Sequence, residues 1–87
     1  MHFRKSLFLV AYDLRGKPEE QYQELSSKLK SLGAIHVQES VWALRSNRSA
    51  LLLRRMLSGH IEKGDRLLVA RIHGWSSKNG LTKIRNV

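Results

Sequence analysis

The sequence predicts an α+β domain in which a four-stranded antiparallel sheet carries two helices on one face. Three observations lead there. The apolar pattern alternates between extended and helical spacing along the 87 residues, in the order strand, helix, strand, strand, helix, strand. The length allows one core, because two would each be too small to overcome chain entropy. Both helical stretches are apolar along one stripe only, so each needs a sheet to pack against. That element order is the β-α-β-β-α-β layout of a ferredoxin-like sandwich. Residues 1–87 are accordingly read as a single domain, with 75–87 as loop and tail.

Met1 to Ser6 is a basic lead-in to the first strand, Leu7 to Asp13, where six apolar or aromatic residues run straight into a carboxylate. A run of that length bounded by charge suits a buried strand and is too short for a buried helix. Gly16 and Pro18 then break the chain. Pro18 suits the first position of a helix, Glu19 and Glu20 suit its positive end, and Lys28 and Lys30 suit its negative end. Tyr22, Leu25, Leu29 and Leu32 step by three and four to form its stripe, and Gly33 ends it as a left-handed cap. Ala34 to Val37 and Val41 to Leu44 read as two strands joined by a short turn or bulge at Gln38-Glu39-Ser40. Asn47 and Ser49 both offer N-caps for a helix from Ser49 to Ser58, closed by Gly59, with Leu52 or Leu53, Met56 and Leu57 as its stripe. Lys63-Gly64-Asp65 makes a turn into the last strand, Arg66 to Gly74, and Trp75 to Gly80 is loop-like.

Two helices cover one side of a sheet, yet the first strand is apolar on both parities, and Val41, Ala43, Trp42 and Leu44 repeat the pattern. A sheet open to water on one side should alternate cleanly. The second face is therefore expected to be buried, most economically against a copy of itself in a two-fold homodimer, with Trp42 in that interface. The alternative is an apolar face covered by the carboxy-terminal tail.

Sixteen Lys and Arg against seven Asp and Glu give a formal charge of +9, and the segment from Ser49 onward holds eight of the basic residues and two of the acidic ones. An excess of that kind points to a polyanion partner, DNA or RNA, with Arg48, Arg54, Arg55 and Arg71 as the residues to track phosphates. A solvated basic face without a partner is the plainer alternative. There is no cysteine, so disulfides and thiolate metal sites are excluded, in keeping with a cytoplasmic protein. The apolar run before Asp13 is too short for a signal peptide or a membrane span. His2, His36, His60 and His73 have no zinc-ligand spacing, no glycine-rich phosphate loop is followed by Lys-Ser/Thr, and Ser40 lacks a relay for a hydrolase triad. Trp42 and Trp75 could stack on bases. Asp13 has two readings: a rigidly held metal ligand at a strand end, or a cap for the turn that follows.

Val10-Ala11-Tyr12-Asp13-Leu14 at a strand end, a helix closing in Leu32-Gly33, and Val37-Gln38-Glu39-Ser40-Val41-Trp42 resemble the CRISPR-associated protein two superfamily. With Lys17-Pro18, Lys30-Ser31-Leu32-Gly33 and Gly64-Asp65-Arg66-Leu67-Leu68-Val69, the set is similar to the small SinR-like branch and, more distantly, to VapD toxins. The resemblance implies a ferredoxin-like homodimer in which Asp13 meets its symmetry mate across the axis and the pair holds Mg2+. It further implies that Tyr12, Arg15 and Ser40 lie nearby and position a phosphate. The chain departs from that pattern in Pro18-Glu19-Glu20, where a basic helix start is usual, and in the short run left after Gly74 for a fifth strand. Three functions are therefore carried forward: a magnesium-dependent nuclease using Asp13, a non-catalytic scaffold on double-stranded DNA, and a toxin-like protein whose partner is another protein.

Overall fold

A computed structural model describes residues 5–16 and 18–81 of the chain. The elements are β1 (Ser6–Asp13), α1 (Pro18–Ser31), β2 (Ile35–Gln38), β3 (Val41–Ser46), α2 (Ala50–Ser58) and β4 (Arg66–Ile72). The strands form one sheet in the order β2-β3-β1-β4, every neighbouring pair antiparallel. This is the ferredoxin-like arrangement, with both helices on one face. The expectations for His2, Lys17 and tail residues 82–87 lie outside the described residues.

β1 and β3 are the inner strands, and both are apolar on both parities. The even positions of β1, Phe8 and Val10, join Trp42 and Leu44 of β3 in a core with Leu25 and Leu29 of α1 and Leu53 and Leu57 of α2. Each fully buried leucine there contributes on the order of 2 kcal/mol of transfer free energy. Leu53, not Leu52, is the inward residue of α2, since Leu52 is 45% exposed. The odd positions face away from the helices, where Leu7, Ala43 and Val37 form a second buried cluster, flanked by Leu9, Ile35 and Ile72. Part of its cover is the chain itself. β4 and β2 are opposite edges of the sheet, and the Leu81 N–H donates to the Val37 carbonyl at 2.7 Å, so the segment after β4 has crossed to the β2 side. Leu68 on the same face stays 62% exposed.

Trp42 corrects the sequence reading. It is not at an interface but 2% exposed within the single chain, on the helix side of the sheet. Its even register, opposite Val10, puts it there. The helix ends follow their capping residues. The Ser49 side chain, rather than Asn47, accepts the Leu52 N–H at 3.1 Å. Gly33 takes the left-handed conformation at φ +82°, which a side chain would resist. Gly59 closes α2 without that turn, at φ −67°. β4 stops at Ile72, two residues before the expected end. Among the described residues, no helix is long and apolar enough to cross a membrane.

Candidate functional site

Asp13 ends β1 opposite Arg66, on the helix-free face with Leu7, Leu9 and Ala11. Its side chain is 51% exposed, and its Oδ2 accepts from both Nε and Nη2 of Arg15 at 3.2 Å. An exposed pair of this kind adds about 0–1 kcal/mol of stability, so its main effect is to orient both side chains. Among the described residues, no backbone N–H of the following turn donates to the Asp13 carboxylate.

The loop that carries Arg15 is held from another segment. Asp65 Oδ1 accepts the Arg15 backbone N–H at 2.7 Å, its Oδ2 accepts the Glu62 N–H at 2.8 Å, and its own N–H donates to the Glu62 carbonyl at 3.0 Å. The Arg15 N–H, and next to it the Glu62 N–H, hold the Asp65 carboxyl below its ordinary value, because both bonds favour the ionised form. Gly16 fits beneath Glu62, where a Cβ would come 2.6 Å from Glu62 Oε2.

Beside Asp13 a groove of about 450 Å³ is lined by Tyr12, Glu19, Tyr22, His36, Glu39 and Ser40. It is walled by a run of rings. Trp42 Nε1 donates to the Tyr12 hydroxyl at 3.1 Å, His36 stacks on Trp42 with centroids 4.5 Å apart, and Tyr22 lies tilted 6.3 Å from His36 and 6.4 Å from Tyr12. His36 is fixed in turn by a 2.9 Å hydrogen bond between its Nε2 and the Glu39 carbonyl. Burial pushes the Tyr12 hydroxyl above the usual phenol value, outweighing the opposite pull of the Trp42 N–H, with Tyr22 and Glu39 adding to the rise. Tyr12 therefore keeps its proton at neutral pH and can donate it.

The predicted site residues divide. Tyr12, Asp13, Arg15 and Ser40 come together, the last because the Tyr12 N–H donates to the Ser40 carbonyl at 3.2 Å and ties the β2–β3 turn to β1. Arg71 does not join them: it pairs with Phe8, five residues back along β1 and so about 17 Å away at a strand rise of about 3.3 Å. Arg48 follows β3, its N–H donating to Ser46 Oγ at 3.0 Å, and Arg54 and Arg55 line the outer side of α2. Among the described residues, no group of three or more His, Asp or Glu side chains is placed to hold a metal ion. Asp13 has the oxygen chemistry that a hard cation prefers, but one chain brings only part of a ligand set.

Sequence reading missed Asp65 as the brace of the Arg15 loop, and Tyr22, His36, Glu19 and Glu39 as walls of the groove. The local signal for Asp65 was present: a carboxylate three residues after Glu62, preceded by Gly64 at φ +96°. The groove had none, since its walls come from β1, α1, β2 and the β2–β3 turn.

A family model described as CRISPR associated protein Cas2 matches residues 6–79, from the first residue of β1 to beyond β4. Among solved structures, the chain is similar to the crystal structure of hypothetical protein TT1823 from Thermus thermophilus. That likeness has a TM-score of 0.70 at 29% identity and covers 90% of this chain and 96% of the other.

Proposed function

The chain belongs to the CRISPR associated protein Cas2 family, and from that premise we propose that it acts as a nucleic-acid-binding homodimer that cleaves phosphodiesters with a pair of Asp13 carboxylates. The family is in general one of metal-dependent endoribonucleases that bind nucleic acid and form dimers. The observation that carries the proposal for this chain is the place of Asp13. It sits at the open end of the central strand, on the same face as half-exposed Leu9, Ala11 and Ala70 and exposed Leu68. A second copy laid on that face removes the apolar surface from water and supplies the second carboxylate that one chain lacks.

The two Asp13 carboxylates would hold a divalent cation, Mg2+ by preference, which would supply charge neutralisation and an activated water at a phosphodiester. The chain's own groups position the phosphate. Arg15 lies against Asp13 and presents a guanidinium fork that suits two phosphate oxygens. Tyr12 and Ser40 offer hydroxyl donors from the same groove. Arg48, Arg54, Arg55 and Arg71 attract the flanking backbone, RNA or DNA.

The test combines mass with cleavage. Small-angle or light scattering should find a dimer, and RNA and DNA should be cut with Mg2+ but not after chelation, and not by Asp13→Ala protein. A lone subunit at working concentration, or cleavage that survives in Asp13→Ala, overturns the proposal. The engagement of Asp13 by Arg15 favours one alternative, a scaffold on double-stranded DNA whose affinity ignores loss of Asp13. Full DNA affinity with no cleavage by the parent chain would select it.

A further inference from the structure

At the end of the sheet opposite Asp13, a cleft of about 360 Å³ gathers Lys5, Arg45, Arg71, His73 and Trp75. The register brings these residues to one end of the sheet. Leu7 pairs with Arg45 on one side and Ile72 on the other, and Phe8 pairs with Arg71. Lys5 just before β1, Arg45 of β3, Arg71 of β4 and His73 just after it line this cleft together, Arg45 on the parity of Leu7 and Arg71 on the opposite, helix-side parity of Phe8, and among the described residues no carboxylate lines it. Trp75 is 45% exposed, whereas Trp42 is buried. A large aromatic left at the surface beside several cations has two complementary uses: its face stacks on a base while the cations meet phosphate oxygens. The volume lies within the roughly 300–1,000 Å³ usual for small-ligand sites.

The geometry points to a site for one unpaired nucleotide of a single strand, with Trp75 stacked on the base and Lys5 and Arg71 on its phosphates. A paired base has both faces covered by its neighbours, so a duplex cannot use Trp75 in this way. The inference rests on the proposal that the chain binds nucleic acid, and it adds the strand state and the place of contact. The site is separate from the Asp13 groove, so substrate held here is gripped at a distance from the proposed reaction.

The experiment measures binding of the full chain to labelled oligo(U), oligo(dT) and a duplex of equal length, each about ten nucleotides. Trp75→Ala should weaken single-strand binding about 5- to 150-fold, the range for removal of one stack, and leave duplex binding unchanged. Trp75→Phe should restore most of it. Lys5→Gln with Arg71→Gln should flatten the single-strand salt dependence by about 0.7 in log-log slope for each phosphate no longer neutralised. Adding oligo(dU), which differs from oligo(U) in the sugar alone, identifies the sugar preferred. Single-strand binding that is the same in Trp75→Ala as in the parent, or an equal loss on duplex, overturns the site while leaving nucleic-acid binding intact. A parent chain that binds none of the four overturns both.

Discussion

At the Asp13 end of β1, carboxylates arrive from four segments: Asp13 itself, Glu19 and Glu20 in the first turn of α1, Glu39 in the β2–β3 turn, and Glu62 and Asp65 before β4. At the Ser6 end, Lys5, Arg45, Arg48 and Arg71 gather with Trp75. Six of the seven acidic residues thus share one end of the sheet, in a chain whose formal charge is +9. A bulk charge is therefore a poor guide to any one surface. A polyanion is drawn to the basic end, while at the acidic end a phosphate is welcome only where Arg15 or a cation offsets the carboxylates. The proposed binding and the proposed chemistry would thereby lie at opposite ends of one sheet.

The largest expected effect separates those ends. Asp13→Ala should remove cation-dependent cleavage by roughly a hundredfold or more while leaving nucleic-acid affinity equal or slightly higher, because a negative charge has gone. Cleavage assays beside anisotropy titrations check this, and a parallel loss of affinity would merge the two ends. Next comes stability. Trp42→Ala should cost about 3–5 kcal/mol in denaturant unfolding, because it empties a filled site and frees Tyr12 and His36 from their partner. Arg71→Ala, exposed at the other end, should stay within about 0.5 kcal/mol of the parent.

A smaller effect concerns pH. The folded Asp65 carboxyl is held below its ordinary value by backbone N–H donors, so its contribution is present above the unfolded pKa and is lost as pH falls through the folded one. Asp65→Asn should therefore be less stable than the parent at neutral pH, with the gap closing below about pH 4, as melting at several pH values would show. The smallest effect is on α2: Arg54→Ala with Arg55→Ala should reduce the salt slope of duplex binding by about 0.9 for each phosphate no longer neutralised, with cleavage at low salt unchanged.

Much of the fold was legible because its signals are local. Pro18, the stripe from Tyr22 to Leu32 and left-handed Gly33 bound α1, and Ser49 caps α2, whatever surrounds them. The site was half legible. Tyr12 and Asp13 are neighbours at a strand end, but their meeting with Ser40 needed the β2–β3 turn to fold back onto β1. Trp42 was misplaced because the sequence could not say which parity of β3 faced the helices. Where Arg71 lies relative to Asp13 was not legible, because charge counting has no axis, whereas the antiparallel register of β4 sends Arg66 to Asp13 and Arg71 to the far end.

The order of elements, their caps, the positive excess and an acidic residue closing the most apolar strand were all settled by the linear chain. Each depends on backbone preferences and on residues a few positions apart. The folded arrangement alone established that the carboxylates collect at one end, that Asp65 braces the Arg15 loop, and that Trp75 lies beside Arg71. Those outcomes depend on strand register and on which loops share an end of the sheet, and contacts between distant segments set both.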